Sequence, residues 1–158
     1  MNNEQPKKIF IGCDPGQSGG FVVLSENGIV LEIFKTPEHI ADYADKLSKY
    51  SESSKYKVLL VKEKVHSQPR HGGKANFTFG YTIGVLESSL VHNKIPFLDI
   101  TPQTWMKLYM MKKEKDEPQT KWKNRLKAKA QSMFPHEKVS LWNADALLIA
   151  EYARQVYK

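Results

Sequence analysis

The run Ile9-Phe10-Ile11-Gly12-Cys13-Asp14-Pro15-Gly16 decides how this chain is read. A short apolar segment stops at a Pro-Gly turn signal, so a strand ends there with an aspartate at its tip. Cys13 falls on the opposite strand face from Asp14 and reads as a small core residue. Outward from it, residues 21–24 and 29–34 are β-branched and aromatic runs separated by Ser25-Glu26-Asn27-Gly28, whose Asn-Gly pair suits a tight hairpin. Three strands in an antiparallel meander therefore open the fold.

Thr36-Pro37-Glu38 has the form of a helix start, with Thr36 as the cap and Pro37 at the first helical position. Ile40, Tyr43, Ala44 and Leu47 supply that helix with an apolar stripe. Val58-Leu59-Leu60-Val61 is continuously apolar, as in a central strand covered on both faces, and it delivers Glu63 to its end. Residues 67–74 are polar, basic and rich in breakers, which predicts a mobile loop. A helix is expected over 77–92, a fifth strand over 96–100, a helical turn from Pro102 bearing Trp105 and Leu108, and an alanine- and leucine-rich helix over 144–156. This order implies an α/β fold, a mixed five-stranded sheet flanked by helices, and it is the order expected of a ribonuclease H-like domain.

The sequence has 158 residues, a length that fits one domain over 1–158 with an ordinary core. A single Cys excludes a disulfide or a cysteine-rich zinc site within the chain. With 41% hydrophobic and 26% charged residues the chain is too apolar for disorder and too interrupted by charge for a membrane span. The polar start, residues 1–8, lacks a separate hydrophobic signal core, so a cytoplasmic location is expected and no membrane partner. Lys plus Arg number 24 against 17 Asp plus Glu, a net charge of +7 that favours a polyanionic partner. Most of the excess lies between Lys107 and Lys129.

Three acids stand where the backbone would expose them: Asp14 and Glu63 at strand ends, and Asp145 near the start of the last helix. Taken singly, each has an ordinary reading, as a turn residue, a strand-end ion pair and a complement to the helix dipole. If the first and fourth strands are neighbours, the carboxylates converge. Such an oxygen-only donor set suits Mg²⁺ or Mn²⁺ rather than zinc. Two such ions about 3.5–4 Å apart can hold both the attacking and the leaving oxygen of a phosphodiester displacement.

Gly12-Cys13-Asp14-Pro15-Gly16-Gln17-Ser18-Gly19-Gly20, Val61-Lys62-Glu63-Lys64-Val65-His66, Asn76-Phe77-Thr78-Phe79-Gly80, Thr101-Pro102-Gln103-Thr104-Trp105 and Ala144-Asp145-Ala146-Leu147-Leu148-Ile149-Ala150 follow one another along nearly the whole chain. Together they resemble the RuvC-like Holliday junction resolvases, the crossover junction endodeoxyribonucleases, and most closely their smaller, phage-type branch. The resemblance implies a homodimeric, metal-dependent endonuclease that makes paired nicks at four-way DNA junctions, in a bacterial or phage-infected cell. It makes Asp14, Glu63 and Asp145 the metal-binding acids of a site with two Mg²⁺ ions, for which Mn²⁺ can substitute. The family usually has a further acid three or four residues before the last one, where this chain has Leu141 and Trp142. That leaves open a three-carboxylate site, a substitute such as Glu137 or Asn143, or a chain weakened in cleavage.

Phe77 and Phe79 fall in the family's aromatic motif. Phe77 is the better candidate to stack on a base at an opened junction, worth roughly 1–3 kcal/mol per base, and one of the two is expected in the core. Arg70, His71 and Lys74 would meet phosphates, as would Lys112, Lys113 and Lys121. Lys107 and Lys123 are the candidates for lysines beside the scissile phosphate. His66 reads as a surface histidine. Two rivals share these residues: a ribonuclease H-like nuclease acting on flaps or RNA/DNA hybrids, and a junction-binding protein without catalysis. A third reading, Asp14-Pro15-Gly16 as the nucleotide-phosphate loop of an actin- or kinase-like domain, is a poor one, since 158 residues are few for the two lobes such a site needs and a glycine-rich phosphate loop is lacking.

Overall fold

The computed structural model describes residues 5–67 and 72–158, and Arg70 and His71 lie outside them. Strands β1 (Lys7–Asp14), β2 (Gly20–Ser25) and β3 (Val30–Lys35) are followed by helix α1 (Ile40–Ser48), β4 (Tyr56–Glu63), α2 (Gly73–His92), β5 (Phe97–Ile100), α3 (Pro102–Leu108), α4 (Gln119–Met133) and α5 (Ala144–Val156). The sheet order is β3-β2-β1-β4-β5. The first three strands pair antiparallel, while β4 lies parallel to β1 on one side and to β5 on the other. The mixed five-stranded sheet expected from the sequence is the one observed.

Alternation along the strands sorts side chains to two faces. Phe10, Val22, Leu24 and Val61 join the core beneath α5, whereas Ile9, Ile11, Cys13, Val23 and Leu60 join the core beneath α1 and α2. Cys13 is fully buried, as expected. A Cβ on Gly12 would lie 2.2 Å from the Ala150 nitrogen and 2.3 Å from the Ala146 carbonyl oxygen, so only glycine lets α5 lie directly on β1. That contact carries the first turn of α5, with Asp145, to the end of the strand.

Two boundaries depart from the sequence reading. The first helix starts at Ile40 rather than after Thr36, because the Thr36 hydroxyl donates instead to the Gly16 carbonyl at 2.8 Å and braces the turn behind Asp14. The second starts at Gly73, so Lys74 belongs to its first turn and not to a loop; the Asn76 N–H already donates to the Gly72 carbonyl at 3.1 Å. Within the lysine-rich stretch, Trp122, Leu126 and Ala130 recur every four residues and bury one stripe of α4 among its charges. Among the described residues no helix is long and apolar enough to cross a membrane.

Candidate functional site

Asp14 is the last residue of β1 and Glu63 the last of β4. The parallel register pairs Cys13 with Lys62, which sets the two acids side by side at the same end of the sheet. Both follow residues of the α5 face by the two-residue period, and Asp145, in the first turn of α5, completes the group. The loop after Asp14 folds back tightly: a Cβ on Gly19 would lie 2.2 Å from the Asp14 carbonyl oxygen.

Among the described residues the group is short of positive charge. Burial raises the carboxyl of Asp14 above its ordinary value, and the charge of Asp145 raises it further against the pull of Lys123 and the Gly16 N–H. Glu63 is pushed up to about 7, first by burial and then by Asp14 and Asp145, although the Trp105 indole and Lys123 oppose this. Lys123 is the ammonium that answers these acids, hydrogen-bonded to Asp145 Oδ2. Burial works against its charge, yet Asp145, Asp14 and Glu63 together hold its pKa above the ordinary lysine value. The other oxygen, Asp145 Oδ1, is buried without a hydrogen-bond partner among the described residues. A buried carboxylate oxygen left bare is costly unless something binds it.

These features fit a divalent cation in donor chemistry. Among the described residues no three His, Cys, Asp or Glu side chains are gathered tightly enough to ligate one ion by themselves.

The lysines separate. Lys123 reaches the acids from α4, whereas Lys107 is exposed, two residues and so roughly 200° around α3 from the inward-facing Trp105. The structure does not bring Lys107 to the acids. Lys112, Lys113 and Lys121 are exposed, and Lys113 Nζ donates to Gln119 Oε1 at 2.8 Å. Phe77 is 76% exposed at the start of α2, while Phe79 is half-buried. Phe79 helps line a cavity of about 690 Å³ with Gly16, Gln17, His66, Lys74 and Thr78. The positions preceding Asp145 are occupied structurally. The Trp142 ring packs on Gly20 with Lys35 Nζ 5.7 Å from its centre, and Leu141 is half-exposed. Asn143 is committed to its own loop, accepting from the Ser140 N–H at 2.8 Å and donating to the Lys138 carbonyl at 3.1 Å. It does not stand in for an acid.

The sequence reading missed one partner of Glu63. The Trp105 indole N–H donates to Glu63 Oε2 at 2.9 Å from a fully buried ring. Trp105 stood in a motif already singled out, but a bond spanning 42 residues leaves no local signal.

Solved structures carry the same arrangement of elements. Thermus thermophilus RuvC in complex with a Holliday junction substrate superposes with a TM-score of 0.64 at 14% identity, over 94% of this chain and 95% of that one. The chain has the RuvC fold. A second Thermus thermophilus RuvC structure matches with a TM-score of 0.61 at 14% identity, over 94% and 96% of the two chains. No protein-family model matches the chain, and no curated protein matches it in sequence.

Proposed function

We propose that the chain is a homodimeric, Mg²⁺-dependent endonuclease of the small, phage-type RuvC-like resolvases, which resolves four-way DNA junctions by paired symmetric nicks. The observation that carries this is the group of three acids from β1, β4 and α5, answered among the described residues by the ammonium of Lys123, with Asp145 Oδ1 left without a hydrogen-bond partner among them. Asp14, Glu63 and Asp145 would hold two Mg²⁺ or Mn²⁺ ions, which supply Lewis-acid polarisation of the phosphate and an activated water.

The chain's own residues do the rest. Lys123 fixes Asp145 and places positive charge where negative charge develops on the phosphate. Phe77 offers a bare ring to an unstacked base. Lys74, Lys112, Lys113 and Lys121 meet phosphates of the non-reacting arms, with Arg70 and His71 assigned to the same task from the sequence alone. Each phosphate neutralised steepens the salt dependence of binding by about 0.9 log units per log of salt. Two symmetric nicks require two sites related by a two-fold axis, hence a dimer, and α2 is the proposed interface element.

The absent fourth acid favours one other reading, a junction binder that does not cut. Strand cleavage of a labelled, immobile four-way junction in Mg²⁺, Mn²⁺ or EDTA decides, run beside linear duplex, a flap and an RNA/DNA hybrid. Paired, metal-dependent nicks confined to the junction support resolution. Preferred cutting of flap or hybrid reassigns the substrate, and tight junction binding without nicks selects the binder.

A further inference from the structure

The short helix α3 touches two of the elements that carry the acids. Thr101 caps it, accepting from the Thr104 N–H at 3.3 Å, so the helix is set directly on the end of β5. Trp105 and Tyr109, four residues apart, face the same way. The Trp105 indole donates to Glu63 Oε2 on β4 at 2.9 Å. The Tyr109 hydroxyl donates to the Leu148 carbonyl on α5 at 2.5 Å, one helical turn beyond Asp145. The two rings meet edge-on, with centroids 6.5 Å apart and planes at 62°. Both residues are buried, Trp105 completely. A leucine or phenylalanine at 105 would fill such a space; only an indole also brings a donor to the buried carboxylate.

We propose that Trp105 and Tyr109 form a clamp that fixes Glu63 relative to Asp145, which makes Trp105 a positioning residue for the cation the acids hold. This rests on the reading of those acids as a metal site. The clamp engages one oxygen of Glu63, which orients the carboxylate, and ties β4 to the backbone of α5 through two side chains, those of Trp105 and Tyr109. Groups that orient a metal ligand from behind typically change metal affinity or activity by about 10–100-fold when removed.

Trp105→Phe keeps an aromatic filler and deletes the donor. The Mn²⁺ concentration for half-maximal junction nicking is expected to rise about tenfold or more, with the rate recovering at saturating Mn²⁺ and junction affinity in EDTA unchanged. Tyr109→Phe is expected to act in the same direction with a smaller effect. An unaltered Mn²⁺ dependence in Trp105→Phe overturns the clamp. The indole N–H signals of ¹⁵N-labelled wild type supply a readout that needs neither DNA, nor nicking, nor a folded Trp105 variant. The Trp105 signal should move in Glu63→Gln and on addition of Mg²⁺, while those of Trp122 and Trp142 stay. If the Trp105 signal is unmoved by both, the inference is wrong whatever the protein cuts. If it moves but wild type nicks nothing, the proposed activity fails and the contact stands.

Discussion

Lys62 and Glu63 are consecutive residues of β4 that point to opposite faces of the sheet, and their surroundings are opposite in kind. Lys62 is buried, with Glu87 at 2.8 Å and Asp99 at 2.6 Å, so that one ammonium has two carboxylates. Burial works against its charge, but the two carboxylates prevail and hold its pKa above the ordinary value. Glu63 lies among acids, with one ammonium for three carboxylates among the described residues. The first group is satisfied within the chain and serves the packing of α2 and β5. The second is not balanced among the described residues, and carboxylates held together at the end of a well-packed sheet with their acidity shifted mark a candidate functional site.

Asp14→Asn, Glu63→Gln and Asp145→Asn are each expected to reduce junction nicking on the order of 10³-fold, by analogy with loss of one transition-state-stabilising group, while junction binding holds or tightens because negative charge near DNA is removed. Gel assays of nicking and binding on the same preparations check this, and normal cleavage by any one variant removes that residue from the site. Lys123→Met should slow nicking by about 10²-fold, whereas Lys107→Ala, on the exposed side of α3, should change it by roughly twofold or less.

On the other face the expected effects are on stability. The double variant Glu87→Gln, Asp99→Asn strands the Lys62 ammonium in the interior and should cost about 3–5 kcal/mol in chemical denaturation. Lys62→Met leaves two half-exposed carboxylates that water can reach, and should cost markedly less. The smallest effect sharpens the contrast. Glu63 releases its proton near pH 7 in the folded chain and near 4.3 when unfolded. The folded state thus binds more protons across that window, and stability falls as pH rises through it. Relative to wild type in EDTA, Glu63→Gln should gain on the order of 1–3 kcal/mol above pH 7 and almost nothing at pH 4. Denaturation at both pH values tests the sign.

Much of this was legible in the sequence because strand tips and turn signals are local. Asp14 before Pro15-Gly16, and Glu63 after an apolar run, could be read from their neighbours, and pairing of β1 with β4 then brought them together. The approach of Asp145 depends on Gly12 lying under Ala146 and Ala150, a packing fact that one glycine in a strand does not announce. Thr36 does not cap a helix although Thr-Pro is a good local helix start, because its hydroxyl is taken by a carbonyl 20 residues away. Lys107 and Lys123 were indistinguishable, since charge alone does not say which side of a helix faces the acids. Trp105 was visible as a motif residue, but the direction of its N–H was not.

The Glu63 carboxyl carbon, followed through a pH titration by NMR with and without Mg²⁺, reports most directly whether the acids are short of positive charge. A midpoint near pH 7 in EDTA, falling on addition of Mg²⁺, is the predicted result. A midpoint near the ordinary value of about 4.3, indifferent to Mg²⁺, would contradict it.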